Sequence, residues 1–420
     1  MLPLAVVIVV ISLLSYIYFI LFTMMSEATE PGRSNVNAGT MLSVLNHDAG
    51  FDAPSFVRQA IAWCKTAGTL PEAEEETLYS RLVNMRIERR HKMHASKEKN
   101  DLVEFYQVLN HKLGAYLYAS KVGVQSPRIK YCGKAQDLPE DMSSQFGDKF
   151  VVKPLIGSSS KGVNIVVDGV DKFHGKSVNR DSLVKDFGPD ADAIVEELIE
   201  SAHPQFKGDV PPDYKFHVYE GRPEVMWMID RNKEHHGMIC QSSFDVSEDD
   251  WLPLGLDSVN PQCPPDEDGN VNGHYLDPGQ KVAMTKAVRA LASKLGPDWL
   301  RIDMFDSNRG PVLGEFTPYS SRGNTRDPVD SCIMSHLIVA HTMHGGPIDD
   351  VETVRAVGKN LRADLDFLTK SSNGAEAPNS FDWNQLGLTL EEVRRWSKYD
   401  EVEKCKVAKA AQEQLNDRLN

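Results

Sequence analysis

Several things are scarce in this 420-residue chain, and each scarcity removes a class of function. No long basic run occurs, and the formal net charge is -14. Sequence-independent nucleic-acid binding needs a basic footprint, so no nucleic-acid partner is expected. Cysteine is sparse: Cys64, Cys132, Cys240, Cys263, Cys332 and Cys405 are scattered, with no Cys-x-x-Cys pair. Neither a zinc site nor a dense disulfide framework follows from that spacing. No Asn is followed two residues later by Ser or Thr, so an N-glycosylation acceptor is missing. This favours a cytosolic catalytic part, although a lumenal protein without acceptor sites reads the same way. Internal repeats and low-complexity tracts are also absent. The remaining composition, 41% hydrophobic and 25% charged, is that of a globular chain able to bury a sizeable core in two or three lobes.

What is present begins with Met1–Phe22, which carries no charged side chain. Its length suffices for a helix across a bilayer core. A cleaved signal peptide has a basic start, a shorter apolar core and a small-residue exit. Here the basic start is missing, and Thr23, Met24 and Met25 make a poor exit. Residues 1–25 therefore read as a single-pass membrane anchor. Residues 26–100 read as a juxtamembrane linker and a helical region, with Glu72–Glu76 and Arg86–Lys92 on solvated faces. Residues 101–370 hold the region where the chemistry gathers, and 371–420 a C-terminal helical segment.

Within that region, Asp101–Lys121 has amphipathic helical spacing and leads past Gly123 into a short strand, Arg128–Tyr131. Leu138–Asp148 reads as loop or short helix. Phe150–Lys153 and Val163–Val167 are strand-like. Asp192–Ser201 contains a strand end. Asp213–Arg222 and Pro223–Asp230 form a hairpin turning at Gly221. Asp245–Asp277 is rich in Pro, Gly and Asp and reads as a long surface loop. Lys281–Leu295 has helical spacing and stops at Gly296-Pro297. Val329–His344, Asp350–Lys370 and Leu388–Leu419 read as helices, with a linker at Ser371–Pro378.

Two stretches carry chemistry. In the first, Trp299–Phe305 and Pro311–Thr317 alternate in polarity around the turn residues Asp306–Gly310, a hairpin signature. Side chains alternate faces along a strand, so Arg301 and Asp303 share one face, and Glu315 and Thr317 share another. A turn near Arg309 sets Asp303 roughly opposite Glu315. Two carboxylates that close repel unless neutralised, and a hard cation such as Mg²⁺ does so with oxygen ligands. A solvated strand face with an Arg–Asp pair is the plainer reading. In the second, Gly157, Ser158, Ser159, Ser160, Lys161 and Gly162 lie between the strands at Phe150–Lys153 and Val163–Val167. Little side-chain bulk lets backbone N–H groups and hydroxyls approach phosphate oxygens. Lys153 leads into the loop and can meet the same phosphates as a point charge. The loop lacks Gly-Lys-Ser/Thr and no helix follows it, so it is not a Walker loop. Taken alone, it reads as a plain hairpin turn.

The ordered set Lys153-Pro, Gly/Ser loop, Glu196-Glu197-x-Ile199, Arg301-x-Asp303 and Glu315-x-Thr317 resembles the ATP-grasp superfamily. FVVKPLIGSSSKGV is similar to the phosphate loop of D-alanine–D-alanine ligases. DYKFHVYEG and GEFTPYSSRG resemble the TupA-like (teichuronopeptide-biosynthesis) ATP-grasp family. The resemblance covers about Asp101 to His344. It implies an α+β fold of two lobes gripping ATP, here behind an N-terminal transmembrane helix. It also implies adenine at Glu196, Glu197 and Ile199, and phosphates at Lys153, Gly157 and Ser158–Ser160. Mg²⁺ would lie on Asp303, Glu315 and Thr317, and Arg301 would stabilise charge in an acyl-phosphate. Lys215 and Arg231 are further phosphate or substrate contacts, or a salt-bridged strand surface. The sequence departs from superfamily ligases in three places. Thr317 stands where Asn is usual. A phosphate-binding Lys expected on the preceding helix aligns with Tyr116, with Lys112 nearby. No acidic residue for the ribose is evident after Ile199, where Glu200 or His203 would have to serve. The implied activity is an ATP-dependent carboxylate–amine ligase, with a polysaccharide or glycoconjugate as acceptor by analogy. A phosphotransferase acting on a sugar hydroxyl and a degenerate ATP-binding scaffold are the alternatives.

Overall fold

A computed structural model describes residues 101–156, 162–206, 209–219, 221–235, 238–247, 251–253, 276–293, 299–318, 333–334, 337 and 388–419. The anchor expected at Met1–Phe22, the helical region up to residue 100 and most of the helices expected over 329–370 lie outside these residues. Among the described residues, no helix is long and apolar enough to cross a membrane.

The single helix read over Asp101–Lys121 is two: α1 (Asp101–Asn110) and α2 (Lys112–Lys121). His111 between them has extended backbone, φ -90 and ψ 126. The break folds α2 back onto α1 so tightly that a Cβ on Gly114 would lie 2.1 Å from the Val108 carbonyl oxygen. Only glycine allows that approach, which hydrophobic spacing does not report.

The strands among the described residues form two antiparallel sheets. The first has the order β1-β5-β2-β3-β4, from β1 (Ile129–Lys134), β2 (Lys149–Pro154), β3 (Asn164–Val167), β4 (Val170–Asp171) and β5 (Asp192–Glu197). Phe150 and Val152 on β2, and Ala193 and Val195 on β5, enter a core closed by Met142 and Phe146 of α3 (Met142–Phe146) and Leu183 of α4 (Arg180–Phe187). The alternate residues Lys153 and Glu196 therefore point to the opposite face.

The second sheet has the order β11-β10-β6-β7-β8-β9. Its strands are β6 (Asp213–Tyr219), β7 (Arg222–His235), β8 (Met238–Asp245), β9 (Leu252–Pro253), β10 (Leu300–Phe305) and β11 (Val312–Thr317). One face carries Tyr214, Phe216, Met226, Met228, Leu300, Ile302 and Met304 into a core shared with α1, α2 and α5 (Pro278–Ala292). Helix α5 starts three residues before the expected Lys281, because Asp277 and Gln280 form a capping box and Pro278 takes the first turn. The surface loop expected at Asp245–Asp277 is corrected where it is described. Trp251 is buried against Tyr214 and Phe216, donates from Nε1 to Thr285 Oγ1 at 3.1 Å, and is followed by β9. Local composition cannot see an aromatic anchor inside a polar stretch.

The C-terminal helices α6 (Leu390–Trp396) and α7 (Glu401–Leu419) pack on α1, α2 and β1. Gln412 accepts from Ile129 N–H and donates to Ser126 and the Pro127 carbonyl. Glu401 meets His111 at 2.9 Å. Cys405 forms a disulfide with Cys132 of β1, 273 residues away in sequence. Spacing gave no hint of that pairing.

Candidate functional site

The charged face of the second sheet is built by alternation and by one irregularity. Asp213, Lys215 and His217 share a face of β6, and Arg301 and Asp303 share the facing side of β10. Regular alternation along β11 would put Leu313 and Glu315 on the same side. Between Asp303↔Glu315 and Met304↔Leu313 the register slips by one residue at Gly314. This bulge leaves Leu313 in the core and turns Glu315 toward Asp303. A Cβ at Gly314 would come within 2.7 Å of the Phe305 ring, so the bulge residue has to be small.

Arg301 is bonded to all three residues expected to hold metal. It donates to both Asp303 oxygens at 2.7 and 2.8 Å, to Thr317 Oγ1 at 2.9 Å and to Glu315 Oε1 at 3.3 Å. Lys215 Nζ pairs with Asp303 from the other side and with Asp213 at 3.4 Å. Arg231, the further contact expected beside Lys215, pairs with Asp213 at 2.6 Å. Burial opposes ionisation of Asp303, but Arg301 and Lys215 outweigh it and hold the carboxyl well below the usual range. Glu315 goes the other way. Loss of hydration raises its pKa, Asp303 raises it further, and Lys215, Arg301 and Lys153 only partly compensate. Its side chain stays 48% exposed at the mouth, so solvent still moderates the effect. Two opposed carboxylates and a hydroxyl form a hard-oxygen donor set that fits Mg²⁺ alongside phosphate oxygens. Among the described residues, no cluster of three or more His, Cys, Asp or Glu offers a metal an all-protein cage.

Across the cleft, Lys153 Nζ lies 2.7 Å from Glu196 Oε2 and 3.3 Å from Tyr116 OH, which donates to Glu196 Oε1 at 2.7 Å. Burial, then Glu196, pushes the Tyr116 phenol up, so it stays a neutral donor. Lys112, four residues before Tyr116 on α2, enters the same space and donates to the Leu155 carbonyl at 3.3 Å. Burial and then Lys153 lower its pKa to about 8. Tyr116 stands where a phosphate-binding Lys is usual and Lys112 was expected nearby; the structure brings both side chains beside Lys153. Their i, i+4 spacing was the available signal.

The remaining expected residues are placed differently. Gly157, Ser158, Ser159 and Ser160 lie outside the described residues. Glu197 faces away from Lys153; it bonds Arg309 and accepts from Arg128 N–H at 2.9 Å. Ile199 is buried and lines a cavity of about 460 Å³ with Arg128, Glu197, Glu200 and Ser307–Arg309. Asp303, Glu315 and Lys153 do not line that cavity. Glu200 pairs with Lys149 at 3.1 Å, and the His203 and Phe206 rings meet at a 58° tilt with centroids 6.0 Å apart. Arg309 also donates to Gln125 at 2.7 Å, and Asp306 accepts from Ser201 and Ala202. The β10–β11 turn is thus tied to the segment that leaves β5.

An α+β pair of antiparallel sheets, with lysines on one facing an Arg-bridged carboxylate pair on the other, is the ATP-grasp arrangement. The chain belongs to the TupA-like ATP-grasp family: the sequence profile described as TupA-like ATPgrasp matches residues 91–333. Similar solved structures include D-alanine–D-alanine ligase from Bacillus anthracis complexed with ATP, at 15% identity and a TM-score of 0.38, covering 66% of this chain and 75% of that one. L-amino acid ligase from Bacillus licheniformis aligns at 12% identity and a TM-score of 0.34, over 56% of this chain and 46% of that one. N5-carboxyaminoimidazole synthetase from Staphylococcus aureus complexed with ADP aligns at 11% identity and a TM-score of 0.31, over 55% of this chain and 52% of that one. No curated protein matches the chain in sequence.

Proposed function

We propose that this protein is an ATP-dependent carboxylate–amine ligase that works through an acyl-phosphate and modifies a polysaccharide or glycoconjugate. The observation that carries the reading is the row Lys215–Asp303–Arg301–Glu315, set opposite Lys112 and Lys153. Phosphoryl transfer needs positioning and charge neutralisation more than covalent help from the protein. Lys112, Lys153 and the Gly157–Ser160 loop hold the phosphates of ATP, with Lys215 beside them. Glu196, Glu197 and Ile199 mark the adenine end. Asp303, Glu315 and Thr317 are the ligands for Mg²⁺, which when bound neutralises phosphate charge. A substrate carboxylate oxygen attacks the γ-phosphorus, and ADP leaves with the electrons of the broken P–O bond. An amine then attacks the acyl carbon and loses a proton, and inorganic phosphate departs. Arg301 lies where negative charge develops in both steps.

Membrane attachment through Met1–Phe22 and the side on which the catalytic region lies belong to this proposal. The missing glycosylation acceptor favours the cytosolic side, and Cys132–Cys405 favours an oxidising one. Protease protection of sealed vesicles distinguishes them.

The test of the ligase uses the full-length protein in detergent with Mg·ATP and a panel of amino acids, amino sugars and uronic acids. ADP, free phosphate and product mass are followed together. ADP with phosphate, and a product lighter by one water than its two substrates, is the expected result. ADP without free phosphate, and a product heavier by one phosphoryl group, would replace the ligase with a phosphotransferase.

A further inference from the structure

The carboxylates, amines and guanidinium of the site face are bonded to one another, but the His217 ring and the Trp227 indole N–H on that face are not. His217 lies on β6 directly opposite Arg301 and two residues from Lys215. It is fully buried, and neither ring nitrogen has a hydrogen-bond partner. The imidazole sits between two indoles, with centroids 4.1 Å from Trp227 and 5.8 Å from Trp299. Trp227, opposite Lys215 on β7, likewise has a buried Nε1 without a partner.

Leaving such groups unpaired costs about 1–3 kcal/mol each, and folded proteins rarely tolerate it. A residue present only to fill the space between two indoles would need no nitrogens. The position is also specific. Relative to the opposed carboxylates, His217 is one strand step further along, level with Arg301 and Thr317. In the proposed function, a substrate held by Arg301 would lie beside this position. Trp227 and Arg301, both partly exposed, cover the imidazole, so a ligand would reach it when one of these two side chains moves aside.

The orphaned atoms define what would satisfy them. A neutral imidazole has one N–H and one acceptor nitrogen, and the indole adds an N–H. Burial and then Arg301 hold His217 in that neutral form. A carboxylate only accepts and would leave the ring acceptor unpaired. An ammonium only donates and would meet Arg301 and Lys215. A hydroxyl both donates and accepts, and indole faces suit the C–H faces of a sugar ring. We propose that His217 and Trp227 read a hydroxyl of the second substrate, and that this substrate is a polyhydroxylated, sugar-like molecule. The location of the subsite rests on the ligase reading; its chemistry rests on the unpaired atoms.

The test titrates full-length protein, saturated with Mg·ADP, with D-glucosamine, D-glucuronate, D-alanine and L-glutamate. Tryptophan fluorescence and the ring ¹⁵N resonances of labelled histidine are the readouts, and His217→Phe and His217→Asn are compared with wild type. The two sugars are expected to shift the His217 resonances. His217→Phe is expected to weaken their binding at least tenfold while leaving the amino acids unaffected, and His217→Asn to restore part of the loss. The proposal is overturned if wild type binds neither sugar, if His217→Phe binds sugars as wild type does, or if both variants weaken all four ligands alike. If His217→Phe does not fold, the wild-type ¹⁵N shifts and the His217→Asn titration decide. Absence of ATP-induced thermal stabilisation would remove the ligase reading and leave the sugar titration standing.

Discussion

Replacing Asp303 and replacing Glu315 should have unequal effects on stability, and both replacements should end turnover. Asp303 is 3% exposed and is the shared counter-charge of Arg301 and Lys215. Asp303→Asn leaves two largely buried cations short of a partner. Breaking a buried pair this way costs about 3–5 kcal/mol, and the amide retains one acceptor, so we expect about 3 kcal/mol. For a cooperative unit of this size that is roughly 6–12 °C in Tm. Glu315 is half exposed, and its pKa is raised by partial loss of hydration and by Asp303, so its charge opposes folding at neutral pH. Glu315→Gln should leave Tm unchanged or raise it by at most about 1 kcal/mol equivalent. The pH dependence follows the same signs. Asp303 has its folded pKa depressed, so its contribution is complete above the unfolded value near 3.9 and fades as pH falls below it. Glu315 has its folded pKa raised, so its penalty is absent below the unfolded value and grows as pH rises through the folded one. Thermal unfolding of both variants between pH 3.5 and 8, beside ADP release, makes the comparison. Equal Tm changes, or a thermally normal Asp303→Asn, would refute the charge assignment.

Lys112 titrates near pH 8 in the free protein, and a bound phosphate would raise that value. ATP binding should therefore take up a proton between about pH 8 and 9.5, seen by calorimetry in buffers of different ionisation enthalpy; uptake that persists in Lys112→Ala contradicts the placement. Gly114→Ala would drive a Cβ onto the Val108 carbonyl, and we expect a loss of at least about 2 kcal/mol in thermal or urea unfolding. Reducing Cys132–Cys405, or changing both residues to Ser, should cost about 2–5 kcal/mol, with a disulfide-linked peptide pair present in the non-reduced digest. An unchanged Tm after verified reduction would show that α7 holds without the bond.

What was legible in the sequence was what strand alternation controls. Arg301, Asp303, Glu315 and Thr317 are separated by twos around an obvious turn, and Asp303↔Glu315 is the observed register. The β6–β7 hairpin was readable for the same reason, with Gly221 at φ +80 in its turn. The one-residue bulge at Gly314 was not, because nothing in an alternating pattern marks an extra residue. The break at His111 was missed because helical spacing runs through it. Long-range partners were beyond reach altogether. Trp251 looks like part of a polar loop until Tyr214 and Phe216 cover it, and Glu197 looks like a neighbour of Glu196 until alternation sends it toward Arg309. His217 reads as an ordinary strand residue, since an unpaired nitrogen is visible only in three dimensions.

The seating of α7 against β1 and α2 also sets a clock on biosynthesis. Cys405 is translated 273 residues after Cys132, about 15–55 s later at common elongation rates. Through that interval the surfaces of β1 and α2 that receive α7 are bare, the Ile129 N–H lacks its Gln412 partner, and the Cys132 thiol is unpaired. The edge of β1 and the helix that carries Lys112 and Tyr116 are covered only when residues 401–419 have been made. The two sheets need not wait, since the strands of the first span residues 129–197 and those of the second 213–317. Nascent chains of this protein should depend on holding factors, and on the timing of thiol oxidation, more than an enzyme of the same size in which neighbouring segments cover each such surface.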